Sequence, residues 1–93
     1  MIRSWKDRKA KEVFAGRLPK GFPAAQFTAA RRRLFQLDAA VAVEDLRDPP
    51  GNRLHALTED RQGQWSISVN KQFRICFRWG AQGPEEVEFV GHH

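Results

Sequence analysis

The side chains of this 93-residue chain best suited to chemistry are arginines and histidines in its C-terminal half. Arg74 and Arg78 are four residues apart in a segment of alternating polar and apolar residues, so both side chains belong to one face of a strand. Planar guanidinium groups match phosphate oxygens in pairs. The histidine side chain can either donate or accept a proton, and the chain has three histidines, His55, His92 and His93. Together these residue types could hold a phosphodiester and move protons around it.

Such groups are sufficient for cleavage of RNA without a metal ion. The 2′-OH of the ribose attacks the adjacent phosphorus while a base takes its proton, and an acid protonates the leaving 5′ oxygen. Guanidinium groups stabilise the extra negative charge of the phosphorane. DNA lacks the 2′-OH, so the same site would not cleave it.

Each of these residues also has a structural interpretation. The two strand arginines could be surface side chains balanced by Glu86 or Glu88 on the next strand. A lone histidine such as His55 is more often structural than catalytic. The histidine pair that ends the chain could be the remnant of a purification tag, although it follows a strand directly, without a linker.

The sequence lacks the motifs of other catalytic sites. It has no glycine-rich phosphate loop, no paired-cysteine zinc spacing, no His-x-x-x-His helix and no serine on an elbow, so we expect neither metal nor cofactor. Its one cysteine, Cys76, cannot form an internal disulfide, which fits a reducing cytoplasm. No apolar run approaches the roughly 20 residues that cross a bilayer. The length predicts a single domain, residues 1–93. The lone cysteine and the short apolar runs lead us to expect that it is cytoplasmic and does not contact a membrane.

Positive charge is concentrated in the first third of the chain. The net charge is +5, and residues 1–33 hold ten Lys/Arg against two Asp/Glu, a local balance of +8. Neutralised phosphates dominate affinity for nucleic acids, so this block could contact RNA. It could equally be the solvated surface of a helix, or contact an acidic segment of a protein partner.

Helical periodicity fills the first half of the chain. The pattern predicts helices over 6–16 and 23–38, and a helical turn over 41–46. The longer helix has one apolar stripe at Phe27, Ala30, Leu34 and Leu37. The run 31–33, three arginines between stripe positions, should project mostly to solvent. Asp48–Asn52, with two prolines and a glycine, is the strongest turn signal.

Alternation with period two then predicts strands over 64–70, 72–79 and about 86–90, joined by short hairpin connections at 70–71 and 80–84. Weaker strands are expected at 54–57 and 1–3. The helices should pack on the apolar face, giving an α+β two-layer domain on an antiparallel sheet of about four to five strands. The open face would carry Ser66, Ser68, Gln72, Arg74 and Arg78.

Three segments in the second half form a specific succession. They are Gly-Asn-Arg-Leu-His-Ala-Leu at 51–57, Gly-Gln-Trp-Ser-Ile-Ser-Val-Asn at 63–70 and Phe-Arg-Ile-Cys-Phe at 73–77. The opening Met-Ile-Arg-Ser-Trp and the chain length agree with them. The chain thereby resembles, over essentially its whole length, the HigB branch of the RelE/ParE toxin superfamily.

The resemblance implies a toxin of a type II toxin–antitoxin system, on a RelE/ParE-like fold. Such toxins enter the A site of the ribosome and cut messenger RNA, and a helix-turn-helix antitoxin of the HigA kind neutralises them in a hetero-oligomer. By position, the resemblance implies catalytic roles for His55, Arg74 and the final pair His92 and His93. Arg74 would hold the scissile phosphate. RNA-binding roles are expected for neighbouring cations, namely Arg53, Arg61, Lys71 and Arg78.

The chain departs from the family pattern at three places. The family commonly ends in Asp-Tyr-His, whereas this chain ends in Gly91-His92-His93. Asn70 stands where a basic residue is frequent, and Thr58 where a lysine is frequent. We therefore expect the fold and the pairing with an antitoxin to be retained, and the cleavage to be weak.

Two other functions remain open from the sequence. The same fold occurs in gyrase inhibitors of the ParE kind, which usually lack the arginine and histidine set, so His55, Arg74 and His93 argue against that class. A module that binds RNA or ribosomes without cleaving is the third hypothesis. Parallel measurements of supercoiling, translation and RNA cleavage separate the three.

Overall fold

The computed structural model describes residues 1–91. Two helices, α1 (Arg8–Phe14) and α2 (Phe27–Ala39), precede four strands, β1 (His55–Ala56), β2 (Gln64–Ser68), β3 (Phe73–Gly80) and β4 (Gly83–Gly91). Short 3-10 turns lie at Ala24–Gln26, Val43–Arg47, Pro50–Asn52 and Glu59–Arg61. The strands form one antiparallel sheet in the order β1-β2-β3-β4. The expected α+β architecture is confirmed.

The helices begin and pack as their sequences dictate. The Asp7 carboxylate caps α1 by accepting from the backbone N–H of Lys9 at 2.8 Å. The apolar stripe of α2 is buried at Ala30, Leu34 and Leu37. These side chains form the core with Val13 of α1 and with inward-facing sheet residues, which are Ile67, Ile75, Phe77 and Val87.

The three arginines at 31–33 do not all project to solvent, contrary to the sequence interpretation. Only Arg32 is exposed. The Arg31 guanidinium lies 4.6 Å from the centre of the Phe35 ring, and Arg33 donates from Nε to the carbonyl oxygen of Ser68 at 3.0 Å. Long stems allow arginines at the flanks of a helix to reach neighbouring elements.

The strand expected at 1–3 is absent from the described structure, and only Trp5 forms an isolated parallel bridge, with Val87 of β4. The Asp38 carboxylate at the end of α2 accepts from the backbone N–H of Ile2 at 2.8 Å, which ties this segment to the helical layer. The N-terminal segment nevertheless follows β4, since Arg3 N–H donates to the Pro84 carbonyl oxygen.

Residues 80–84, expected as a connection, mostly extend β3 and β4 and leave a two-residue turn, Ala81-Gln82. Further along, β4 contains a bulge, because Cys76 pairs with Glu88 but Arg78 pairs with Glu85. Glu86 absorbs the extra residue with a φ of 52°.

The outer face of the sheet, turned away from the helices, carries two neighbouring rows of paired residues. One row contains His55, Ser66, Cys76 and Glu88, and the next contains Ser68, Arg74 and Val90. Ser66, expected on an open surface, is buried, as is Cys76. Ion-paired long side chains, Lys6 and Arg61 with Glu88, cover this part of the face.

Candidate active-site cleft

A cleft of about 650 Å³ opens at one end of the outer face. Its walls come from four places in the chain, namely the 3-10 turn at 50–52 with the residues after it, β1, the end of β2, and the β2–β3 turn with the start of β3. The lining residues are Gly51, Arg53, Leu54, His55, Ser66, Ser68, Val69, Asn70, Lys71 and Arg74. The cleft therefore brings together His55 and Arg74 with Arg53 and Lys71.

Arg74 occupies the central strand of this end of the sheet, paired with Ser68 on one side and Val90 on the other. The residue is half-buried, and its Nε is buried with no hydrogen-bond partner among the described residues. A buried donor without a partner costs about 1–3 kcal/mol. An anion bound in the cleft could accept from this donor and remove the penalty.

His55 lies opposite Ser66 on the edge strand β1 and is exposed. It is therefore open to a ligand that enters the cleft. Arg53, two residues before it, is also exposed and adopts a left-handed backbone conformation with φ of 48°, which turns the chain from the 3-10 turn into β1. The position of His55 thus depends on this turn.

Asn52 anchors that turn from inside the protein. The residue is fully buried, and its Nδ2 donates to the carbonyl oxygens of Leu46 and Asp48, each at 3.2 Å. Both carbonyls belong to the preceding segment. Sequence reasoning gave Asn52 only a turn role, and the strongest turn signal in the chain was its sole indication.

The charge of the cleft is wholly positive along its described lining. Arg53, Lys71 and Arg74 contribute three cations, and none of the lining residues within 1–91 is acidic. Cations that converge on a concave site attract anions and strengthen their binding as water is displaced. This arrangement suits a polyanion whose phosphate lies against Arg74.

The other two predicted RNA-binding cations lie outside the cleft. Arg78 Nε is 3.1 Å from a carboxylate oxygen of Glu86, which is the pairing that the structural interpretation of this arginine expected. Its guanidinium also lies over Gly63, where a Cβ would approach Nη1 to 2.7 Å. Arg61 donates to Gln64 at 3.1 Å and to Glu88 at 3.3 Å.

Glu88 organises the covered part of the outer face, a role that sequence reasoning did not assign. Its largely buried carboxylate is 3.5 Å from Lys6 Nζ and 3.3 Å from Arg61 Nη1. Cys76, its strand partner, lies beneath, and burial raises the pKa of the Cys76 thiol. The alternation of β4 was the available signal, because it places Glu88 on the same face as Arg74.

Asn70, at a position where the resemblance noted in the sequence led us to expect a basic residue, shapes the β2–β3 turn. Its Oδ1 accepts from the backbone N–H groups of Gln72 and Phe73, each at 2.8 Å. Its Nδ2 donates to Gln26, at the start of α2, and its carbonyl oxygen accepts from Ser68 Oγ at 2.9 Å. Asn70 therefore fixes the cleft wall that carries Lys71.

The remaining observations concern the C-terminal histidines, metal binding and membrane helices. His92 and His93, the predicted C-terminal catalytic pair, lie outside the described residues. Within residues 1–91, no group of three His, Cys, Asp or Glu side chains could hold a metal ion. No helix in that part of the chain is long and apolar enough to cross a membrane.

Comparison with known proteins relates this chain to a family of toxins. Residues 3–93 match the family model described as "RelE-like toxin of type II toxin-antitoxin system HigB". A Proteus vulgaris protein named Endoribonuclease HigB is 34% identical over 79 residues, which are 85% of each chain. A Vibrio cholerae protein named Toxin HigB-1 is 49% identical over 57 residues, so the match spans about 60% of the length of each chain.

Proposed function

The chain belongs to the HigB-like family of RelE-like toxins of type II toxin–antitoxin systems, and from this membership we propose that it is an endoribonuclease toxin. Its substrate would be messenger RNA in the A site of the ribosome, and cleavage would inhibit translation and growth. The name of the Proteus vulgaris relative supports the ribonuclease activity. The resemblance noted in the sequence supports the ribosome as the place of cleavage.

The observation that carries this proposal is the unpartnered Nε of Arg74 in a cleft lined by cations. The phosphorane of RNA cleavage carries more negative charge than the phosphodiester. A guanidinium with free donors therefore binds the transition state more strongly than the ground state, which is the requirement for catalysis. Arg53 and Lys71 would hold the flanking phosphates.

The proton transfers need an acid and a base beside Arg74. His55 is placed for one of these roles, because it is exposed on the cleft wall and an imidazole can either donate or accept a proton. We assign the second role to the terminal pair His92 and His93. The 2′-OH is the nucleophile, and its proton goes to one histidine while the other protonates the leaving 5′ oxygen. The reaction then needs no metal ion.

Partners follow from the same family membership. A type II toxin pairs with an antitoxin, and we propose a helix-turn-helix antitoxin of the HigA kind in a hetero-oligomer in the cytoplasm. Arg61 and Arg78 would contact RNA beyond the cleft, where their side chains are partly exposed. Because Gly91-His92-His93 and Asn70 replace the more usual residues, cleavage should be slow.

Primer extension on messenger RNA, after the purified toxin is added to translating ribosomes, tests the proposal. The native chain should give toxin-dependent ends, and Arg74→Met should abolish them because the phosphate loses its guanidinium. His55→Ala should slow cleavage by about 10²–10⁴-fold, the usual contribution of a general acid or base. Arg17→Met, which removes an exposed arginine outside the cleft, should cleave like the native chain.

Two outcomes would contradict the proposal. Intact messenger RNA together with blocked DNA supercoiling would favour a gyrase inhibitor. Ribosome binding that weakens steeply with salt, without cleavage ends, would favour a binding module.

A further inference from the structure

Arg33 of α2 lies at the rim of the cleft without lining it. Its Nε donates to the carbonyl oxygen of Ser68 at 3.0 Å, and its Nη2 is 3.9 Å from the place that a side chain at Gly51 would take. Ser68 ends β2, and Gly51 belongs to the 3-10 turn that leads to His55. Both residues line the cleft. One guanidinium from the helical layer therefore lies against two walls of the cleft.

The hydrogen bond from Arg33 to Ser68 lies on the edge of β2 that is not covered by β1. β1 pairs only with Trp65 and Ser66, so β2 continues past the end of β1. Arg33 supplies a donor to the edge of β2 at that point. On its other side, Ser68 pairs with Arg74. Arg33 is thus separated by a single strand residue from the arginine that faces the phosphate.

Placing a cation at this partly buried position costs free energy, because the charge loses part of its hydration. Burial, assisted by the charge of the adjacent Arg32, lowers the pKa of Arg33, which means that the protein partly desolvates this cation. An apolar side chain of similar volume would fill the same space at lower cost. The hydrogen bond to the Ser68 carbonyl oxygen requires a donor, and this requirement explains why an arginine rather than an apolar residue stands here.

We propose that Arg33 is a positioning residue that holds the 3-10 turn at 50–52 and the end of β2 in register. It thereby sets His55 and Arg53 at the correct distance from Arg74. This inference rests on the proposed ribonuclease function of the cleft. Rates of reactions between positioned groups fall about 10²-fold for displacements near 1 Å, so a loosened rim should slow cleavage strongly.

Two substitutions separate the hydrogen bond from the charge. In Arg33→Gln, Nε2 is the same number of bonds from Cα as arginine Nε, so the donor to Ser68 is retained, whereas the charge and the nitrogen beside Gly51 are lost. Arg33→Met keeps the length of the stem but has no donor. Arg32→Met is the matched control, since Arg32 is an exposed neighbour on the same helix.

Single-turnover cleavage at saturating ribosome-bound RNA should be about tenfold to a hundredfold slower in Arg33→Met. The affinity for RNA should not change, because Arg33 does not line the cleft. Arg32→Met should cleave like the native chain. Arg33→Gln keeps the bond to Ser68 but has no nitrogen beside Gly51, so its rate should lie between those of the native chain and Arg33→Met. A defect confined to the rate, and partly restored by glutamine, is not expected from a general loss of stability.

Hydrogen exchange gives a second readout that does not require activity. The amides of Asn52, Arg53 and Val69 are bonded to the carbonyl oxygens of Pro49, Pro50 and Phe73, respectively. All three should exchange faster in Arg33→Met. In Arg33→Gln the Val69 amide, at the end of β2, should stay protected, whereas the Asn52 and Arg53 amides should exchange faster. β3 and β4 amides should stay protected in both variants.

The inference is overturned if Arg33→Gln is as slow as Arg33→Met, since the hydrogen bond to Ser68 would then contribute nothing to positioning. It is equally overturned if Arg33→Met leaves exchange at the rim unchanged. If the native chain cleaves no RNA, the proposed function fails, whereas the exchange comparison still decides the role of Arg33.

Discussion

At the scale of single residues, the arginines on the outer face of the sheet differ in whether a carboxylate pairs with them. Arg78 is paired with Glu86, and Arg61 with Glu88. Arg74 keeps its buried Nε without a partner among the described residues. A buried donor without a hydrogen-bond partner lowers the stability of the fold, and it can donate to a ligand that enters the cleft. This difference supports the proposal that Arg74 is the residue that faces the reacting phosphate.

The cost of Arg74 should be measurable as stability. Arg74→Met keeps an apolar stem and removes the unpartnered donor, so the free energy of unfolding should rise by about 1 kcal/mol even though cleavage is lost. Urea denaturation followed by fluorescence measures this change. Arg32→Met, an exposed substitution, should leave the midpoint unchanged. A clear loss of stability in Arg74→Met would show that Arg74 supports the fold instead.

Cys76 should make stability depend on pH in the alkaline range. Burial raises the pKa of this thiol, so the folded protein keeps its proton at a pH where the unfolded chain has lost it. Unfolding then releases a proton, and stability falls as pH rises above about 8.5. The native chain should lose stability between pH 8 and 10 faster than Cys76→Ala. Parallel curves for the two proteins would contradict the prediction.

At the scale of elements, the β2–β3 hairpin builds one wall of the cleft through a side chain. Asn70 accepts two backbone N–H groups of the turn and also reaches Gln26 beside α2. These bonds couple the turn to the helical layer. A basic residue at the same place would give charge to the cleft but could not accept those hydrogen bonds.

Substitutions at Asn70 test whether its side chain contributes hydrogen bonds to the turn in place of a positive charge in the cleft. Asn70→Lys and Asn70→Ala should each lose about 1–3 kcal/mol of stability, because the turn amides lose their acceptor. Only Asn70→Lys should bind RNA more tightly, since it alone adds a cation to the cleft. Thermal unfolding and RNA titration at one salt concentration measure the two effects. Equal RNA affinities for the two variants would show that position 70 does not face the ligand.

At the scale of the whole molecule, positive charge is distributed over two sides. Most cations of residues 1–33 belong to the helical layer and the segments around it, whereas Arg53, Lys71 and Arg74 line the cleft on the outer face of the sheet. Lys6 is an exception, because it reaches Glu88 on the outer face. The net charge of +5 therefore includes two sets of cations that can be separated by mutation.

The salt dependence of RNA binding should identify which set contacts RNA. Each phosphate contact that is lost lowers the slope of log affinity against log salt by about 0.7 for a single strand. Lys71→Gln in the cleft should lower the slope by this amount, and Lys20→Gln, near the helices, should not change it. Fluorescence titration of a short single-stranded RNA at several salt concentrations measures both slopes. A change only in Lys20→Gln would place the RNA on the helical side.

The sequence by itself determined the elements, because helical and strand periodicity are local properties of the chain. Ala30, Leu34 and Leu37 of the α2 stripe are buried as predicted, and so are the apolar residues Ile67, Ile75 and Phe77 of β2 and β3. The family resemblance also depends on short segments, and the match over residues 3–93 confirms it. The segment 1–3 was expected as a strand and is not one, and its contact with the distant carboxylate of Asp38 could not be predicted from local periodicity.

Only the tertiary structure decided how the candidate site is assembled. Arg33 meets Ser68, Asn70 meets Gln26, and Asn52 meets Leu46 through contacts between elements, and no periodicity encodes such contacts. The structure also separated Arg74 from Arg78, which the alternation had treated as equivalent. An arginine becomes a phosphate ligand or an ion-pair partner according to which carboxylates lie within reach, and the packing of the whole chain sets those distances.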